Sequence, residues 1–324
     1  MSLKYLTMRQ LCVYANIQNR IRTKFAQSES SSLEYTEIDE KEDAMSIDAK
    51  ELRQLKQTAK DLRLTVIDVM KWSGGAHVGG SLSCMDMLTA LYFKYLKIDP
   101  KNPDWDERDR FILSKGHAAA GYIPVLAKRG YFPEEQLKSF NHFGSPFAMH
   151  PDTNKVLGCD ASAGSLGHGL PMALGMALGL RFQGKDQKVV CMMGDGECQE
   201  GSVWEAAMAI SHFNATNVIT IVDRNKAQID GTTEQVMALE PFADKWTAFG
   251  FDVIEIDGNN MTQICEALDK AWAKKPGEKP ALILANTIKG KGVDFMEGQV
   301  PYHYCNGTDE VCAKAKASIM KMEV

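Results

Sequence analysis

Several things are missing from this sequence, and each absence excludes something. No apolar run reaches the ~18 residues of a membrane-spanning helix, so none is expected in this 324-residue chain. There is no basic excess: 37 Lys and Arg stand against 42 Asp and Glu, a net charge of −5. Nucleic-acid binders ordinarily carry the opposite balance, which argues against that class. Cysteines occur at 12, 84, 159, 191, 198, 265, 305 and 312, yet no two form a C-x-x-C pair. Several lie inside apolar stretches, as Cys191 does in Val189-Val-Cys-Met-Met. That is the habit of reduced, buried thiols, and it speaks against a disulfide framework or a zinc site. Together with the missing secretory signal it points to the cytoplasm. Internal repeats and internal linkers are absent as well.

What is present reads as a soluble globular protein with a sizeable core, 44% hydrophobic and 24% charged. The first 48 residues stand apart. Residues 1–28 hold Lys4, Arg9, Arg20, Arg22 and Lys24 and no acid, whereas 29–48 hold eight acids and one Lys. A weakly ordered leader is expected over 1–48. It reads either as an organellar transit peptide or as an upstream extension ahead of a second start at Met45. One domain is expected over 49–324.

Within that domain, Leu52, Leu55, Ala59, Leu62, Val66 and Val69 recur at helical spacing, and 84–97 forms another helical stretch. Strands are expected at Phe111–Leu113, Lys188–Met193, Asn217–Asp223, Asp252–Ile256 and Ala281–Ala285. Helices are expected at Trp204–Phe213 and Met261–Lys274. Continuous apolar strands alternating with helices imply an α/β fold, a doubly wound and mostly parallel sheet with helices on both faces.

In such a sheet, ligands bind beyond the carboxyl ends of the strands. After the strand ending at Met193 comes Gly194-Asp195-Gly196-Glu197, and after the one ending at Val222 comes Asp223-Arg-Asn225-Lys-Ala227. Neighbouring parallel strands lie ~4.8 Å apart, so Asp195 and Asn225 can aim oxygens at one point. With a main-chain carbonyl such as that of Ala227, they form a hard oxygen site suited to Mg²⁺ or Ca²⁺. Gly194 and Gly196 would let the backbone approach diphosphate oxygens. Gly-Asp-Gly alone is a common strand-end turn. Thirty residues from Asp195 to Asn225, each just past an apolar strand, make the pattern more specific.

At these residues the chain resembles the N-terminal half of a transketolase, over about residues 50–310. Ser73-Gly-Gly-Ala-His77-Val-Gly-Gly resembles the family's Ser-Gly-His-Pro-Gly segment, with Val78 where proline is usual. Arg110-Phe-Ile-Leu-Ser-Lys-Gly-His117, Met149-His150-Pro151, Gly164-Ser-Leu-Gly-His-Gly169 and Thr287-Ile-Lys289-Gly-Lys-Gly resemble further segments. Gly194-Asp-Gly-Glu-Cys-Gln-Glu200-Gly-Ser-Val-Trp-Glu205 resembles the cofactor motif closely. Fourteen residues after Lys289 stands His303, where the family also has a histidine. The family usually reads Trp-His-Gly there; this chain reads Tyr302-His303-Tyr304.

The resemblance implies roles. Asp195, Asn225 and the Ala227 carbonyl would hold a divalent metal, Mg²⁺ or Ca²⁺, bridging the diphosphate of thiamine diphosphate. Gly164, Leu166, Gly194 and Gly196 would line the cofactor. His117 and Lys289 would contact its diphosphate end, unless Lys289 and Lys291 belong only to a solvated loop. His77, His150 and His303 would surround the reacting carbon, bind the donor sugar and move protons, which imidazoles do near neutral pH. Glu200 and Glu205 would sit at an interface between subunits. His168 replaces a common glutamine, while His142 and His212 read as surface or packing residues. Glu197 and Cys198 read as passive neighbours, and Asp223 equally as a packing residue or a cofactor contact.

Family members also have pyrimidine-binding and C-terminal domains, and this chain shows no counterpart of the glutamate that activates the cofactor's pyrimidine. The resemblance therefore implies a split transketolase moving a two-carbon ketol unit from a ketose phosphate to an aldose phosphate. Its separate partner subunit would carry the pyrimidine-binding half, in a heterotetramer; a pentose-phosphate role is the default. The alternatives are the α subunit of a 2-oxo acid dehydrogenase or a deoxyxylulose-phosphate synthase, or a non-catalytic assembly subunit.

Overall fold

Five apolar segments of the sequence become the strands of one parallel sheet. The computed structural model describes residues 47–324. Of the leader expected over 1–48, residues 1–46 lie outside the described residues, as does Cys12. The first helix, α1 (Ala49–Trp72), is capped by the Asp48 carboxylate, which accepts from Glu51 N at 3.2 Å.

A two-residue strand β1 (Gly75–Ala76) follows, then short helices α2 (Val78–Ser83) and α3 (Met85–Ala90), and the sheet strand β2 (Arg110–Leu113). Next come α4 (Ala119–Arg129), α5 (Gly169–Phe182), β3 (Val189–Gly194), α6 (Gly201–His212) and β4 (Val218–Arg224). The remainder is α7 (Thr233–Val236), α8 (Phe242–Ala248), β5 (Asp252–Asp257), α9 (Met261–Trp272), β6 (Ala281–Asn286), β7 (Cys305–Asn306) and α10 (Asp309–Met320). The main sheet runs β2-β3-β4-β6-β5, every pair parallel. β1 and β7 pair separately and antiparallel, Gly75 opposite Asn306 and Ala76 opposite Cys305.

The inner strands β3, β4 and β6 are largely apolar because both their faces are covered, whereas the edge strand β5 carries Asp252, Glu255 and Asp257. Val190 and Met192 of β3, Ile219 and Ile221 of β4, and Ile283 of β6 face a core shared with α1, α2, α3, α4, α9 and α10. Their strand neighbours Val189, Cys191, Met193, Val218, Val222, Leu282 and Leu284 face a second core built by α5, α6 and α8. This period-two division is the pleat itself, and it makes the sheet doubly wound as expected. Fully burying each such aliphatic side chain contributes about 1.5–3 kcal/mol.

Where the structure departs from the sequence reading, local propensity is overridden by packing. The helical stretch expected over 84–97 is α3 followed by a π-helical turn, Leu91–Tyr95. Helices α4 and α5 carry interior Gly and Pro, which the pattern does not favour. In α4, a Cβ on Gly121 would lie 3.0 Å from the Ser81 carbonyl oxygen, so the glycine lets α4 close on α2. All seven cysteines among the described residues are free thiols. Among the described residues, no helix is long and apolar enough to cross a membrane.

Candidate active site

Four strand ends deliver the site. Ser114–His117 leave β2, Asp195–Glu197 follow β3, Asn225–Ala227 follow β4, and Thr287–Lys289 follow β6. They surround a cavity of about 430 Å³ at the carboxyl edge of the sheet. It is lined by His77, His117, His150, Gly164, Leu166, Gly194, Asp195, Gly196, Glu200, Asn225, Ala227, Lys289 and His303. Every expected site residue is therefore there except Glu205. Glu200 caps α6, and Glu205, exposed five residues on, is turned ~140° round the helix at ~100° per residue. His168 is exposed at the head of α5 and does not join the cavity. His142 is exposed too, with Nε2 2.9 Å from the Trp72 carbonyl oxygen.

The two expected oxygen-bearing side chains meet through one turn. Asp195 accepts from Gly196 N at 2.8 Å through one carboxylate oxygen and from Lys226 N at 2.6 Å through the other. Lys226 adopts φ 62°, a left-handed conformation uncommon for a residue with a side chain. The turn brings Ala227 N to within 3.2 Å of Asn225 Oδ1. The Ala227 carbonyl already accepts from a cation, the Lys289 ammonium, at 2.9 Å. Burial, and then the nearby Asp223 carboxylate, raise the Asp195 pKa to about 6. Burial lowers that of Lys289 to about 8, although Asp195 opposes the shift. Lys289 is 1% exposed, so a solvated loop does not describe it.

Beside these groups the histidines form a cluster. The ring centroids of His77, His117 and His303 lie 5.3–5.5 Å from one another. His303 Nδ1 is 3.0 Å from Lys289 Nζ. His150 lies beside Gly116, where a Cβ would meet its Cδ2 at 3.3 Å. Burial, then Lys115, depress the His117 pKa to about 2; burial, then Lys289, depress that of His303 to about 4. Burial also lowers His77 and His150. At neutral pH these are uncharged imidazoles, each with one nitrogen to donate and one to accept. Nδ1 of His77 is buried with no hydrogen-bond partner among the described residues.

Two supports escaped the sequence reading. Lys115, buried inside Ser114-Lys-Gly-His117, is salt-bridged to Asp223 at 2.5 Å and donates to the Gly80 carbonyl at 2.7 Å. Burial opposes its charge, but the Asp223 carboxylate and the Cys84 sulfur together more than offset burial and raise its pKa. Asp223 also accepts from Ser83 Oγ at 2.6 Å, from Asn225 Nδ2 at 3.2 Å and from the Thr287 hydroxyl. It thus ties three strand ends together and orients the amide of Asn225. Glu197, read as passive, is a second anchor. Its carboxylate accepts from the Ser114 hydroxyl, from Gly167 N at 2.9 Å and from Gly194 N at 3.0 Å. The available signal was a charged residue directly after an apolar strand, which has to be paired if it is buried.

Residues 54–321 match the transketolase thiamine diphosphate binding domain. The chain belongs to the transketolase family. A 6-deoxy-6-sulfo-D-fructose transketolase subunit of Clostridium sp. (strain MSTE9) is 43% identical to it over 267 residues, 82% of this chain and 96% of that protein. An apulose-4-phosphate transketolase subunit of Phocaeicola vulgatus is 40% identical over 75% of this chain and 85% of that protein. Transketolase from Campylobacter jejuni superposes with a TM-score of 0.77 at 32% identity, covering 83% of this chain and 43% of that one. This transketolase-family chain therefore spans most of the two relatives named as subunits and less than half of the Campylobacter enzyme. The residues at the cavity fit a diphosphate and a hard cation. Backbone at Gly164 is open to the cavity, with no atom within 4 Å of a Cβ there, and a Cβ on Gly194 would meet only Lys115 Cδ at 3.8 Å. The oxygen donors beside them are a carboxylate, an amide and a carbonyl.

Proposed function

We propose that this chain is the thiamine diphosphate-binding subunit of a two-subunit transketolase that moves a two-carbon ketol unit from a ketose donor to an aldose acceptor. The observation that carries the reading is one cavity holding both halves of the chemistry. That cavity is lined both by Asp195, Asn225 and Ala227, which carry the oxygens, and by the neutral imidazoles of His77, His150 and His303.

Asp195, Asn225 and the Ala227 carbonyl would hold Mg²⁺ or Ca²⁺, and the cation would take over the carbonyl that Lys289 now engages. Lys289 and His117 would hold the diphosphate end of the cofactor, and the glycines at 164 and 194 would let backbone approach it. When bound, thiamine diphosphate supplies the carbon nucleophile. The histidines orient the donor: an imidazole N–H donates to its carbonyl oxygen, and a free imidazole nitrogen takes a hydroxyl proton. Because burial keeps these rings uncharged, each performs both roles without first losing a proton.

The partner subunit would carry the pyrimidine-binding domain. Exposed Glu200 at the cavity rim and Glu205 on α6 would face another subunit, in an assembly of two copies of each chain. We place the complex in the cytoplasm, with residues 1–48 as a leader ahead of the domain at 49–324. Donors to test are fructose 6-phosphate for a pentose-phosphate role and, from the relatives' names, 6-deoxy-6-sulfo-D-fructose and apulose 4-phosphate.

The test is ketol transfer by the chain alone and by the chain co-purified with its partner. Transfer is expected from the complex only. Transfer at full rate by the isolated chain would sink the split-enzyme reading, and pyruvate decarboxylation onto a lipoyl domain would make the chain a dehydrogenase subunit. Within the complex, His150→Ala should lower donor turnover about 10²-fold, the low end for a positioned proton-transfer group. Metal-dependent cofactor affinity should stay nearly intact, since His150 hydrogen-bonds to none of the three oxygen donors. Equal loss of both, measured by turnover and by cofactor titration, would contradict the role.

A further inference from the structure

The residue after His303 carries an inference that rests on reading His77 as a donor-facing group. Because His77 Nδ1 is buried without a partner among the described residues, no hydrogen bond from them at that nitrogen fixes the imidazole. Aromatic rings surround it instead. Tyr304 lies edge-on at 5.2 Å and 81°, His303 at 5.4 Å and His117 at 5.5 Å. Of these three, Tyr304 alone stands outside the cavity. Its hydroxyl makes no hydrogen bond within the described residues, so its contribution there is the ring.

The ring has a seat made for it. β1 and β7 pair so that Tyr304, just before Cys305, crosses over Gly75. A Cβ at residue 75 would stand 2.5 Å from the Tyr304 oxygen, 2.9 Å from Cζ and 3.0 Å from Cε1. Gly74 needs to be glycine for its φ of 76°, but Gly75 is not in the left-handed region. The backbone conformation at 75 would accept alanine, and the three atoms nearest to its Cβ all belong to Tyr304.

We propose that Tyr304 is a positioning residue that holds the His77 imidazole in its donor-facing orientation, and that Gly75 is glycine in order to seat it. The tyrosine ring, which does not itself line the cavity, packs edge-on against His77 and limits rotation of the imidazole about its Cβ–Cγ bond. Edge-to-face aromatic contact supplies the attraction and the fixed geometry.

The experiment compares Tyr304→Phe, Tyr304→Ala, Gly75→Ala and the Gly75→Ala/Tyr304→Ala double variant in the complex with the partner subunit. Fructose 6-phosphate and 6-deoxy-6-sulfo-D-fructose serve as donors. Tyr304→Phe should keep kcat within about twofold, while Tyr304→Ala and Gly75→Ala each lose about tenfold, the scale of a slightly misplaced reacting group. Cofactor affinity should not move. The double variant should be no worse than Tyr304→Ala, because the clash has gone; residues that share a contact are not additive. Phe as poor as Ala, or a double loss equal to the product of the singles, would overturn the proposal. In parallel, the ring-nitrogen NMR signals of His77 are read in the ¹⁵N-histidine-labelled full chain without partner. They should match wild type in Tyr304→Phe and shift in Tyr304→Ala and Gly75→Ala; unchanged signals overturn it. If even the wild-type complex transfers nothing from any donor, the functional reading fails, and the His77 signals alone decide the positioning role.

Discussion

Asp195→Asn should abolish the thermal stabilisation that thiamine diphosphate and Mg²⁺ confer, while leaving the ligand-free chain close to wild type in stability, because the buried charge removed and the backbone hydrogen bond lost offset one another. The reasoning starts from the pKa of Asp195, raised to about 6 chiefly by burial. A carboxylate in that position is held against its own desolvation, so neutralising it removes a cost from the unliganded protein. The same change removes the only charged member of the proposed donor set. Ligand at about a hundred times its Kd stabilises by about 2.7 kcal/mol. At about 2–4 °C per kcal/mol for a domain of this size, the wild type should melt about 5–10 °C higher with both ligands present. The variant should show no such shift. An amide also satisfies only one of the backbone donors Gly196 N and Lys226 N, which loosens the turn that carries Asn225 and Ala227. Turnover in the complex should fall about 10³-fold, as loss of several kcal/mol of charge stabilisation implies. Scanning calorimetry with and without ligands is the measurement. A variant that keeps the full ligand-induced shift would remove Asp195 from the proposed metal site.

Asp223→Ala should be the most damaging single change to the fold. Its carboxylate is wholly buried, and the Lys115 that it neutralises is 1% exposed. Removing one partner leaves the other charge uncompensated, at a cost of about 3–5 kcal/mol. The Ser83 and Thr287 hydroxyls lose their acceptor as well. At about 2–4 °C per kcal/mol, Tm should fall by about 10 °C or more. Lys115→Met added to Asp223→Ala should recover at least half of that, because an apolar stem tolerates the site where a lone ammonium does not. If the double variant is as unstable as the single, charge compensation is not what Asp223 provides.

These two positions also separate what could be read from the chain and what could not. The inner strands were legible because both their faces are covered, so Val189–Met193 and Ala281–Ala285 are apolar without interruption, Val218–Val222 is broken only by the buried Thr220, and all three stand out between helices. The strand-end location of Asp195 and Asn225 followed from the same pattern. Helices α4 and α5 were not legible: Gly121, Pro124, Gly175 and Gly179 argue against helix locally, and packing of α4 on α1 and α2 and of α5 on α6 and the sheet overrules them. Glu197 and Lys115 sit in motifs that were noticed, yet their importance depends on what lies across the fold from them.

By itself the sequence determined the fold class and the kind of chemistry, because hydrophobic periodicity and residue type act over short stretches of chain. The tertiary structure alone decided which charges are paired and which rings touch. Lys115 meets Asp223 across 108 residues, and Gly75 meets Tyr304 across a strand pairing whose partners are far apart in the chain. Glu205 was placed outside the cavity by helix rotation, and Lys289 inside it by burial. Such encounters arise from loop closure and packing, which no local pattern encodes.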